Sequence, residues 1–150
     1  MTTVPTRLTR EQSRQRTREA LVSAAMRVFA RDGYAGASVD AIAEQAGFTV
    51  GALYSNFATK QELFLAVFER HCAGELADLR ALAETAASAQ ELLTAVTARF
   101  ADFDQEHREW WQLSAELWLY AQRHPEAAAR IAAVQAETRQ VIAQALGHGG

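Results

Sequence analysis

The chain has 150 residues, enough for one sizeable core or two small helical modules, and its 49% hydrophobic content excludes a disordered polymer. Its net charge of −3 is unevenly spread, with +3 over residues 1–60 and −6 over residues 61–150, so the two halves face different partners. A single cysteine excludes an intrachain disulfide, and without a signal-peptide stretch or an apolar run of about 18 residues the expectation is a soluble, cytoplasmic protein.

The segment from Met1 to about Arg10, with Pro5 and several threonines, is expected to be a poorly ordered basic tail. A first helix then runs to about Asp32, with Leu21, Ala24, Ala25, Val28 and Phe29 on one stripe, and Asp32-Gly33-Tyr34 stops it. Ser38 caps a second helix, Val39 to Ala46, and Thr49 caps a third, Val50 to Asn56. Between them Ala43, Ala46 and Gly47 leave room for a steep crossing. Periodicity turns Val39, Ile42, Ala46, Phe48, Leu53 and Phe57 inward and Thr49, Val50, Ala52, Ser55 and Asn56 outward.

Thr59-Lys60-Gln61-Glu62 is a capping box that opens a fourth helix extending to about Ala83. Residues Leu63 to Phe68 are apolar on every side, which suits a helix bridging two modules. A second box, Ser88-Ala89-Gln90-Glu91, opens a fifth helix toward Phe103, where Asp102-Phe103-Asp104 breaks the pattern. A sixth runs from about Arg108 to Arg123, and Pro125 starts a seventh that reaches Leu146 before Gly147-His148-Gly149-Gly150. From Ala52 to Leu146 there is one glycine, Gly74, and one proline, Pro125, so the fold class is all-α. The expected organisation is a tail over 1–10, a three-helix unit over 11–59 and a helical domain over 60–150.

The second and third helices form a helix-turn-helix, which makes DNA the first partner to consider. Arg7, Arg10, Arg14, Arg16 and Arg18 add a basic arm suited to displacing counterions from phosphates. Val50 either touches a thymine methyl or packs as a partly exposed residue. No arginine or lysine stands between Tyr34 and Phe57, so a bidentate guanine contact is absent from the third helix and specificity leans on DNA shape and the arm. Cys72, at helical spacing from Phe64, Phe68 and Leu76, reads as a buried structural thiol. The histidines at 71, 107, 124 and 148 lack ligand spacing and no nucleophile arrangement appears, so neither metal, cofactor nor enzyme activity is expected.

The stretch RTREALVSAAMRVFARDGYAGASVDAIAEQAGFTVGALYSNFATKQELF resembles the TetR family of bacterial transcriptional regulators over about residues 16–68. Phe29, Gly33, Tyr34, Ile42, Ala43, Ala46, Gly47, Leu53, Tyr54, Phe57, Lys60 and Leu63 stand where that family's pattern wants them. The resemblance implies that the third helix lies in the major groove. Thr49 and Ala52 would then touch bases or phosphates, while Ser38, Tyr54, Asn56 and Lys60 would hold phosphates.

It also implies an effector-binding second domain with an apolar cavity, a ligand-responsive repressor acting as a homodimer on an operator of inverted symmetry, and release by a shift of the fourth helix. The effector would be an apolar or amphipathic small molecule. Phe100, Phe103, Trp111 and Trp118 are candidates for the cavity wall, with His107, Gln112 and Glu116 as its polar contacts, although the same aromatic stripe, with Trp110 and Tyr120, also fits a plain core. The family continues into two further helices that pair subunits, and here the alanine-rich stretch Ala127 to Leu146 is followed by glycines. The expectation is a C-terminally incomplete regulator, monomeric or weakly dimeric. Two other classes stay open: a shortened interaction protein without effector control, and a small all-α enzyme or carrier.

Overall fold

The computed structural model describes residues 9–101 and 105–147, which form α1 (Arg10–Gly36), α2 (Val39–Ala46), α3 (Val50–Asn56), α4 (Lys60–Thr85), α5 (Ala89–Ala101), α6 (Gln105–Ala121) and α7 (Pro125–Gly147). They fall into two compact units that divide between Phe64 and Leu65, inside α4.

In the first unit α1 begins with a reciprocal cap: Thr9 Oγ1 accepts the Gln12 N–H at 3.1 Å, and Gln12 Oε1 accepts the Thr9 N–H at 2.8 Å. Thr9 and Arg10 therefore belong to a capped helix start, whereas the expected disordered tail over Met1 to Leu8 lies outside the described residues. Leu21, Val22, Ala24, Ala25, Val28 and Phe29 bury one stripe. The helix does not simply end at Asp32–Tyr34. Gly33 adopts φ 70 and ψ 172, which few residues other than glycine tolerate, and a further turn follows to Gly36. That kink folds Tyr34 against Phe29 and Phe64, with ring centroids 5.8 and 4.7 Å away.

The turn after α2 closes at Gly47, φ 77 and ψ 28, whose N–H bonds Glu44 O at 3.0 Å while the Phe48 N–H bonds Ala43 O at 2.9 Å. Ile42, Leu53 and Phe57 are buried as their spacing predicts, Val39 and Ala46 are half-buried, and Ala43 at the crossing is buried as well. Phe48, expected inward, is instead 37% exposed. It stands in the connection rather than on either helix, so helical periodicity does not govern it.

Leu63 to Phe68, near the start of α4, are all buried. In the second unit Phe68 and His71 of α4 stack on Trp110 of α6 with centroids 5.8 and 3.6 Å away. Arg130 of α7 holds Glu69 of α4 through two bonds of 2.7 Å. Leu76, Leu92, Leu113, Leu117, Ala121, Ala127, Ile131 and Val141 complete the core. The connection after α6 stacks Tyr120 on His124 at 3.9 Å, and Pro125 opens α7. α4 ends at Thr85, two residues later than expected, and α6 covers Gln105–Ala121 rather than 108–123. The acidic break at Asp102–Asp104 lies outside the described residues.

Candidate nucleic-acid interface

The outer surface of the helix-turn-helix is built from caps. Ser38 Oγ accepts the Ala41 N–H and Thr49 Oγ1 accepts the Ala52 N–H, each at 3.1 Å, so each hydroxyl keeps its own proton for an outside acceptor. Ser38, Thr49, Tyr54 and Ser55 are exposed, Tyr54 by 49%, while Val50 and Ala52 are half-buried. Arg14 and Arg16 are exposed on α1. These are groups of the kind that orient a protein on phosphates and reach base edges with a few side chains.

Two residues are placed otherwise than the sequence suggests, and a third makes an internal contact. Asn56 is half-buried: its Nδ2 donates to Ala52 O at 2.9 Å and its Oδ1 is buried without a hydrogen-bond partner, so the amide faces into the unit rather than outward. Arg18 is not a loose member of the basic arm, because Nη1 donates to the Asn56 carbonyl at 3.0 Å and the guanidinium lies 4.2 Å from the Phe57 ring centroid. Lys60, half-exposed, rests its ammonium 4.5 Å from the Tyr34 ring centroid and keeps its full charge there. The internal role of Arg18 had one faint signal, its spacing of three residues ahead of the buried Leu21.

The second unit contains an apolar cleft of about 230 Å³ between α4, α5 and α7. Leu76, Leu79 and Leu82 line one side, Leu92 and Val96 another, and Ile142 a third, with Glu75 as the one carboxylate among the described residues of the wall. Of the expected aromatic residues, Trp111 and Trp118 are not part of its described wall. Trp111 is 58% exposed on α6, Gln112 is exposed, and His107 and Glu116 are half-buried elsewhere. Trp118 borders a different recess against Ile131 and Ala128. Phe100 falls on α5, but its side chain, like the whole of Phe103, lies outside the described residues. The leucine spacing of 76, 79 and 82 is the one sequence signal for this wall.

Cys72 is half-buried, and its thiol is pushed up to about 11 by burial and then by Glu75 and Glu69. Among the described residues no His, Cys, Asp or Glu cluster is placed to hold a metal ion, and no helix is long and apolar enough to cross a membrane.

Residues 21–67 match the family model for bacterial regulatory proteins of the tetR family. The chain belongs to the TetR family of transcriptional regulators. It is 34% identical over 103 residues to the transcriptional activator FasR of Mycolicibacterium smegmatis, covering 69% of this chain and 47% of that protein. It is 30% identical over 117 residues to the transcriptional repressor NicS of Pseudomonas putida, covering 78% of this chain and 47% of that protein. The chain thus spans about half the length of the curated relatives it matches. The fold is shared with the FadR regulator of Bacillus subtilis, solved in complex with stearoyl-CoA, at a TM-score of 0.69 and 25% identity over 87% of this chain and 69% of that one. The all-α architecture with an N-terminal helix-turn-helix is the architecture of these TetR-family proteins.

Proposed function

We propose that the chain is a sequence-specific, ligand-responsive transcriptional repressor in which α3 enters the major groove of an operator with inverted symmetry, bound by a homodimer. The observation that carries this reading is the helix-turn-helix itself: left-handed Gly47 joins two capped helices, and α3 presents Thr49, Tyr54 and Ser55 to solvent. Arg14, Arg16, Ser38 and Tyr54 take phosphates, while Thr49, Val50 and Ala52 face bases. Asn56 and Arg18 act from behind, holding the end of α3.

The effector enters the cleft of α4, α5 and α7 and is an amphipathic molecule with an aliphatic chain. The nearly all-aliphatic lining supports that choice, as does the stearoyl-CoA held by the Bacillus subtilis FadR. α4 is one continuous helix whose start belongs to the helix-turn-helix unit and whose later residues line the cleft. Ligand binding therefore acts on α4, and through it on operator affinity. Selection from a randomised duplex library tests the DNA reading: an enriched motif with two half-sites about one duplex turn apart is expected. Enrichment of no motif would contradict it.

A further inference from the structure

Gly51, on the outer face of α3, has no role in the fold that requires glycine. It is exposed, its φ is outside the left-handed region, and a Cβ built on it meets only Thr49 Oγ1, at an ordinary 3.8 Å. Glycine within a helix costs backbone entropy relative to alanine, and α3 has only seven residues to hold together. Folding alone favours alanine at this position. What a missing Cβ still offers is close approach by something outside the chain.

Ser55, one turn on, adds an independent observation. Its Oγ lies 2.9 Å from the Gly51 carbonyl oxygen, which can only accept, so the hydroxyl proton is committed inward and oxygen lone pairs face outward. Ser38 and Thr49 have the opposite polarity, since their oxygens accept and their protons stay available. Their protons suit acceptors, a phosphate oxygen at Ser38 and an acceptor on a base edge at Thr49. Ser55 suits a donor, and in the major groove the donors are the amino groups of adenine N6 and cytosine N4.

We propose that Gly51 and Ser55 form a notch that seats a base edge bearing an exocyclic amino group, with Ser55 Oγ accepting from it. The bare backbone at Gly51 lets the edge come close enough. This rests on the reading that α3 lies in the major groove.

The test compares the wild-type chain with Gly51→Ala and Ser55→Ala by thermal unfolding and by binding to the library-selected site, to its single-base variants and to random-sequence duplex. Gly51→Ala is expected to unfold at or above the wild-type temperature, yet bind the selected site about tenfold more weakly, with random-sequence binding unchanged. Ser55→Ala is expected to lose the preference for adenine or cytosine at one position. The proposal is overturned if Gly51→Ala binds the selected site as tightly as wild type, or if Ser55→Ala keeps every base preference. A wild-type chain that selects no sequence overturns the groove reading and the notch with it, whereas a selective wild type with an indifferent Gly51→Ala removes the notch alone.

Discussion

The Arg18 guanidinium joins α1 to the last residue of α3, donating to the Asn56 carbonyl at 3.0 Å while resting on the neighbouring Phe57 ring. The helix that meets DNA is thereby fixed at its far end by a cation lying against the carbonyl-rich helix terminus, where positive charge is favoured. Replacement by alanine removes a charge-assisted hydrogen bond and a ring contact together. Arg18→Ala is expected to cost about 1–2 kcal/mol in denaturant unfolding and to weaken selected-site binding further than the stability loss alone accounts for. Equal operator affinity in fully folded Arg18→Ala would show that the contact does not position α3.

Gly47 is a backbone position rather than a packing one. A Cβ there meets nothing within 4 Å, but its φ of 77 lies in the left-handed region. Gly47→Ala is expected to destabilise the helix-turn-helix by about 1–2 kcal/mol through backbone strain alone. A melting curve unchanged from wild type would mean that the turn can relax elsewhere.

Much of this architecture is legible in the sequence because it is periodic and local. The stripe from Leu21 to Phe29, the caps at Ser38, Thr49 and Thr59 and the glycine at 47 each follow from side-chain chemistry within a few residues. What is not legible depends on contacts between distant residues. Asn56 sits at an outward position by spacing, yet its amide turns back to Ala52 O and its carbonyl is taken by Arg18, from 38 positions earlier. The cleft likewise needs α4, α5 and α7 together, so Leu76, Leu92 and Ile142 carry no joint signature in the chain, whereas Trp111 and Trp118 attract notice and point to solvent.

Arg14 and Arg16, if they neutralise phosphates, make DNA affinity steeply salt-dependent. Each alanine replacement is expected to reduce the slope of log affinity against log salt by about one while leaving base preference intact. Titrations of selected and random duplexes at several salt concentrations measure this. Slopes that do not move would remove these two residues from the interface.

Cys72 gives a pH signature with a defined sign. Its thiol titrates higher in the folded chain, at about 11, than in the unfolded one, so folding favours the protonated form. This contribution is intact below the ordinary thiol range and is lost as pH rises from there toward 11. Alkylation at neutral pH should be slow and should accelerate in alkali, and Cys72→Ser should flatten the alkaline fall in stability. Rapid neutral alkylation of the folded chain would contradict the burial argument.

The native tryptophans lie on α6, away from the cleft, so they are poor reporters of ligand. Ala145→Trp places an indole in the cleft wall, and its emission should shift when a fatty acid or apolar dye binds, with little change from Trp111 or Trp118. By linkage, a ligand that weakens operator binding must be weakened by operator to the same degree. A ligand that perturbs only the native tryptophans would relocate the site to α6.

The central claim, that the outer face of α3 reads DNA, is met most directly by fluorescence anisotropy of the library-selected duplex with Thr49→Ala and Tyr54→Phe. Thr49→Ala should change discrimination between sequences by about 1–3 kcal/mol, whereas Tyr54→Phe should weaken selected and random duplexes alike. Wild-type affinity and selectivity in both variants would contradict the account.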